Sequence, residues 1–170
     1  MSVVISSSFV LSDSASGGGI INADNPVIGW RNIVTSASIS ALTAASGFPA
    51  SNMANPSTNL RWEGAVASPA DDEYITISNA GVEQLDYLAI ARHNFFTAQI
   101  AVSVEYLDVD ASPDAWVELI EPGIPASDGP ILWRFPTLAY ASLRIRMQPG
   151  SAAPTIAVVY AGLLLVLQRR

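Results

Sequence analysis

The sequence predicts an all-β protein: a jelly-roll β-sandwich of about eight strands behind a flexible N-terminal arm. Three observations predict it. Short apolar or alternating runs recur at spacings of about ten to fifteen residues. Clusters of Gly, Pro, Asn, Asp and Ser separate them. No stretch carries the apolar period of an amphipathic helix. Many short strands joined by such turns build sandwiches and barrels. At 170 residues one domain is expected, large enough to bury roughly 70% of its unfolded surface.

Residues 1–24 read as an arm and linker, and 25–170 as the sandwich domain. Val3, Val4, Ile5, Phe9, Val10 and Leu11 are β-prone but divided by serines, and Ser12–Gly19 (SDSASGGG) is flexible-linker composition. Exposed apolar residues invite aggregation. The arm is therefore expected to add a strand to a neighbouring subunit's sheet edge, where main-chain hydrogen bonds supply affinity.

The domain opens near Asn25-Pro26. Ile33–Thr43 is Ser/Ala/Thr-rich, with Ile33, Ile39 and Leu42 as apolar anchors. Gly47–Trp62 is dense in turn residues and reads as one ordered loop, held to the core by Phe48 and Trp62. Tyr74–Ser78 is a strand after the acidic turn Asp71-Asp72-Glu73. Leu85–Ala91, apolar in its middle and free of Gly and Pro, reads as the buried central strand. Its neighbour Gln99–Leu107 alternates: Ile100, Val102, Val104 and Tyr106 face one way, Gln99, Ala101, Ser103 and Glu105 the other. Trp116–Ile120 and Ile131–Phe135 are further strands, with Glu121–Pro130 as a long Pro/Gly loop between them. Ser142–Met147 alternates with Leu143, Ile145 and Met147 inward and Ser142, Arg144 and Arg146 outward. Ile156–Leu167 is the last strand, with a bulge at Gly162.

Composition narrows the function. The net charge is −7 and every basic residue is arginine. A nucleic-acid surface would need a clustered cationic face, so none is expected. Cysteine is absent, which removes disulfides and thiolate metal sites. Only 14% of residues are charged, against about 25% in ordinary soluble domains. So uncharged a surface suits a subunit covered by copies of itself or by partners. The run Ile156–Leu167 is shorter than the roughly 20 residues that span a bilayer, and residues 1–11 lack a basic leader region, so no membrane insertion is expected.

No catalytic, cofactor or metal site emerges. His93 is the one histidine and has no recognisable nucleophile beside it; with Asn94 it reads as the hydrogen-bonded holder of a turn. Gly17-Gly18-Gly19 neither follows a clear strand nor opens a helix, as a phosphate loop requires. Asp108, Asp110 and Asp114 start like a calcium loop but lack its glycine and closing glutamate. Trp30, Trp62, Trp116 and Trp133 are candidates for a sugar-stacking platform, though core packing is the commoner use of such rings. Carbohydrate binding predicts an exposed tryptophan beside polar side chains in a groove. Trp62 on the longest loop, with Asn59 and Arg61 beside it, is the candidate.

The set NPVIGWRN, SGFPASNMANPSTNLRW, DYLAIARHNF, SLRIRM and TIAVVYAGLLLVL, spread over residues 26–167, resembles tail and baseplate proteins of tailed bacteriophages that have a discoidin-like (galactose-binding-like) jelly-roll. The resemblance implies a non-enzymatic structural subunit of a virion tail, made in the host bacterial cytoplasm. Such a subunit assembles with copies of itself and with other tail or baseplate proteins. The alternative is a carbohydrate-binding module that attaches to host surface glycan. No cofactor is implied by either.

Overall fold

The computed structural model describes residues 27–65 and 70–166. The expected arm, with Val3, Val4, Ile5, Phe9, Val10 and Leu11, and its boundary with the domain lie outside the described residues. The strands are β1 (Val27–Gly29), β2 (Ile39–Ala41), β3 (Trp62–Glu63), β4 (Glu73–Ser78), β5 (Gln84–His93) and β6 (Val102–Asp108). They continue with β7 (Ala115–Gly123), β8 (Ile131–Ala139), β9 (Ser142–Met147), β10 (Thr155–Gly162) and β11 (Leu164–Val166). Among the described residues the one helical piece is a short 3-10 turn, Ala50–Ala54.

All the pairings among the described residues are antiparallel. One sheet has the order β3-β10-β5-β8, the other β2-β4-β9-β6-β7, and β1 and β11 form a separate ribbon. The two sheets pack as a jelly-roll β-sandwich. The strands beyond the expected ones, β1, β2 and β3, are two or three residues long. Two- and three-residue strands are too short to show a period.

Strand ends depart from the sequence reading for physical reasons. β7 runs on through Pro122 and β8 through Pro136. Both are edge strands, where a missing N–H can face solvent and break no ladder. β6 begins at Val102 rather than Gln99. Residues 94–100 close a tight turn instead, with Ala98 N donating to Asn94 O at 2.8 Å and Ile100 N to Phe95 O at 2.8 Å. The last apolar run is two strands, not one. It breaks at Leu163, after Gly162 passes under the backbone of Arg31; a Cβ on Gly162 would lie 2.0 Å from the Arg31 oxygen.

The core lies between the sheets. Ile75 on β4, Ile145 on β9 and Val104 on β6 form one cross-strand row, with Ile77 opposite Leu143 and Val102 opposite Met147. Leu88 and Ile90 of β5, Val159 and Ala161 of β10, and Ile131 and Trp133 of β8 face them. Each such aliphatic or aromatic side chain contributes about 1.5–3 kcal/mol when fully buried. β9 shows the predicted alternation, with Leu143, Ile145 and Met147 buried and the residues between them half-buried. Leu42 is not an anchor: it is exposed, while Ile39 and Val34 are buried.

The other face of the five-stranded sheet is not simply wet. Glu105 and Ser103, predicted on the more exposed side of β6, are buried. Arg144 and Arg146 on β9, opposite Glu105 and Ser103 in register, form ion pairs with Glu105, and Arg146 also pairs with Asp72 at 2.6 Å. The Arg144 guanidinium stacks 4.4 Å from the Tyr74 ring and 4.3 Å from the Trp116 ring. Arginine stems and aromatic rings thus cover the carboxylate.

Candidate functional site

β5 and β10 run side by side, Tyr87 opposite Gly162 at one end and His93 opposite Ile156 at the other. At the second end a cleft of about 500 Å³ opens. Three segments build it: Thr58, Asn59 and Arg61 from the loop into β3, with Glu63 on that strand; Arg92 and His93 of β5, with Asn94 just beyond; Ala152 and Ala153 before β10, with Thr155 and Ala157 on it.

The corner of β5 is fixed by side chains that bond backbone. Asn94 Nδ2 donates to Ala153 O at 2.8 Å, and its Oδ1 accepts from Thr155 N at 2.9 Å. The His93 Nε2 lies 2.7 Å from Gly129 O, and its Nδ1 accepts from Phe95 N at 3.2 Å. A carbonyl can only accept, so Nε2 carries the proton and the ring is neutral. Burial pushes the imidazole below its usual value, and the Gly129 carbonyl and Asp128 only partly offset this. Asp128, on the same loop as Gly129, accepts from Phe96 N at 2.8 Å, Thr97 N at 3.2 Å and the Thr97 hydroxyl. Desolvation alone would raise that carboxyl; these hydrogen bonds outweigh it and lower its pKa. With both ring nitrogens engaged, His93 is unavailable as a general base.

The walls are ionic. Arg61 stacks 4.6 Å from the centre of the Phe48 ring and donates Nε and Nη2 to Glu63 Oε2, at 3.2 and 2.9 Å. Arg92 donates Nη1 to Thr58 O at 2.7 Å. Its backbone is left-handed, with φ 55°, a conformation that costs a non-glycine residue on the order of 1 kcal/mol. Among the described residues no hydrogen bond engages the side chains of Thr58, Asn59 and Thr155, and His93 brings the one aromatic ring to the lining, with no Phe, Tyr or Trp beside it.

Trp62 is corrected. It is 0% exposed, and its Nε1 donates to Thr43 O at 2.9 Å. It is the bolt that holds the loop to the core, so it cannot stack on a sugar. Asn59 and Arg61, its companions, do line the cleft, and the fold brings His93 and Asn94 to the same place. Of the other tryptophans, Trp133 is buried, Trp116 half-buried under Arg144, and Trp30 63% exposed beside β1, outside the cleft lining. Sequence reasoning missed Arg92, Glu63 and Thr155. The one signal was that Arg92 ends the apolar run of β5 beside His93; the loop residue that meets it, Thr58, comes from 34 residues earlier in the chain. Among the described residues no group of His, Asp and Glu is placed to hold a metal ion.

No family model matches the chain, and no curated protein does. Solved structures are similar. Chitosan-binding module 1 of a chitosanase/glucanase from Paenibacillus sp. IK-5 has a TM-score of 0.62 at 13% identity, over 77% of this chain and 98% of that one. Module 2 of the same enzyme, in complex with chitotriose, has a TM-score of 0.62 at 12% identity, over 78% of this chain and 100% of that one. The module CBM32-5 from Clostridium perfringens, in complex with GalNAc-β-1,3-galactose, has a TM-score of 0.61 at 9% identity, over 78% and 100%. At these identities the likeness establishes the fold, the discoidin-like jelly-roll that these carbohydrate-binding modules share.

Proposed function

We propose that this chain is a non-catalytic carbohydrate-binding module whose ligand lies in the cleft between Asn59, Arg61, Arg92 and Thr155. One observation carries it: a concave, polar site sits on a rigid strand corner, with hydrogen-bonding side chains left unengaged beside a floor of Ala152, Ala153 and Ala157. Saccharides present hydroxyls and apolar C–H faces together, and a few placed polar groups over small apolar ones suit them. The solved structures of similar fold include modules in complex with chitotriose and with GalNAc-β-1,3-galactose, which supports the reading. The test is calorimetry of the whole chain against neutral, acidic and amino oligosaccharides, repeated with Asn59→Ala and Arg92→Gln. Binding that these substitutions weaken supports the reading. No binding at millimolar concentration of any class overturns it.

A second reading is a subunit of a bacteriophage tail or baseplate that assembles with copies of itself and with other tail proteins. One observation supports the assembly in this reading. Ile28 and Leu165 face each other across the β1-β11 ribbon, exposed by 48% and 49%, with Trp30 exposed beside them. Apolar residues grouped in this way mark contact surfaces. Light scattering that shows a strict monomer, unchanged in an Ile28→Ser, Trp30→Ser variant, would remove that support.

A further inference from the structure

We infer that the cleft selects an acidic saccharide, one whose ring carries a carboxylate, and that Arg92 receives that carboxylate. The inference rests on the cleft being a glycan site and names the class of glycan. The chain as a whole is acidic, at −7, yet the ionic lining of the cleft is two arginines and one glutamate. That glutamate is engaged: Glu63 Oε2 receives both Nε and Nη2 of Arg61. Arg92 forms no ion pair among the described residues. Its recorded bond is Nη1 to a neutral carbonyl, Thr58 O. One cation is therefore left over in the cleft.

The position of that cation is built. The Thr58 carbonyl anchors one end of the guanidinium, and the Nε/Nη2 edge keeps its N–H groups unengaged among the described residues. That edge is the planar fork that matches a carboxylate with two parallel hydrogen bonds. The backbone beneath it is left-handed at φ 55°, where glycine would fit without strain. An arginine is held there at a conformational cost. Beside it, Asn59 and Thr155 offer unengaged polar side chains for ring hydroxyls.

Charge sorts the competing ligands. An amino sugar brings a cation toward an unpaired guanidinium and is disfavoured. A long polyanion such as nucleic acid meets the negative field of the whole molecule. A short saccharide with a few carboxylates meets mainly the local cation, because opposing charges beyond about 10 Å are screened at ordinary salt. A bidentate, charge-assisted pair is worth roughly tenfold to a hundredfold in affinity.

Three probes separate the outcomes on the intact chain: trigalacturonic acid, its methyl ester, and a sulfated galactose trisaccharide, each titrated by calorimetry. The inference expects the free acid to bind about tenfold or more tightly than the ester. Arg92→Gly should remove that difference while the fold persists, since glycine suits the left-handed backbone, and Arg92→Lys should restore only part of it. Equal binding of acid and ester, unchanged in Arg92→Gly, overturns the acidic class but leaves the glycan reading standing. Binding of the sulfated sugar alone overturns the carboxylate assignment. No binding of these three or of the wider oligosaccharide set overturns the glycan reading itself.

Discussion

Glu105 and Arg144 stand opposite each other on β6 and β9 and are ion-paired on the side of the sheet away from the sandwich core. Glu105 is nonetheless buried, because Arg144 is itself held between Tyr74 and Trp116 and Arg146 closes the other side. Removing one partner of a buried pair leaves the other charge unmet, at about 3–5 kcal/mol. Glu105→Ala should therefore lower unfolding stability by about 3 kcal/mol. The matched control Glu63→Ala, in an exposed pair with Arg61, should change it by less than about 1 kcal/mol. Urea denaturation of both variants checks the contrast.

A pH effect follows from His93. Burial lowers its folded pKa from the usual 6.5, so the folded state disfavours its protonation. The stability it contributes is whole above the unfolded value of 6.5 and is lost as pH falls through the folded value. Because the chain has one histidine, His93→Gln should flatten the stability slope just below pH 6.5, whatever it does to the baseline. Denaturation midpoints measured from pH 7.5 down to pH 5 test it. An unchanged slope would mean that another group titrates there.

Trp62→Phe should cost about 2 kcal/mol. It removes the Nε1–H that bonds Thr43 O and leaves part of a fully buried volume unfilled. The same denaturation measurement decides it. A cost under half of that would mean the loop is held elsewhere.

Gly162→Ala should be severe, about 3 kcal/mol, since the added Cβ meets backbone rather than a movable side chain. The strain falls where Ile33 N donates to Ala161 O at 2.8 Å and Ala161 N donates to Asn32 Oδ1 at 3.2 Å. Faster amide exchange at Ile33, together with the lost stability, would locate the damage there.

Much of the sandwich was legible because β4, β5 and β9 carry patterns that burial alone dictates. SLRIRM has one placement that hides Leu143, Ile145 and Met147. The cleft was half legible. Asn59, Arg61, His93 and Asn94 stand out as polar residues beside apolar runs, but nothing local says that the loop carrying Asn59 meets the end of β5. Trp62 was read both as a core anchor and as a sugar platform, and its solvent exposure, which only tertiary packing sets, separates the two. Glu105 looked like a surface residue by period; the arginines that bury it come from β9, with Arg144 39 residues away. Arg92 reads as an ordinary strand end, since a left-handed backbone at a non-glycine residue leaves no mark in the sequence.

The ribbon also governs how the domain bears load. Val27 and Val166 are direct partners in β1-β11, and their strands run in opposite directions. The cleft lies at the far end of β5, six residues or about 20 Å along the strand from Tyr87. Tension applied through residues 27 and 166 would therefore act across the ribbon's hydrogen bonds one pair at a time, as in peeling. The bond from Leu164 N to Asp86 Oδ1, 2.9 Å, and that from the Tyr87 hydroxyl to Arg31 O, 3.0 Å, come next in line. Single-molecule pulling would register the ribbon as an early low-force step. The sheets behind it would stay closed, and the cleft at the opposite end would keep its shape while the chain lengthens.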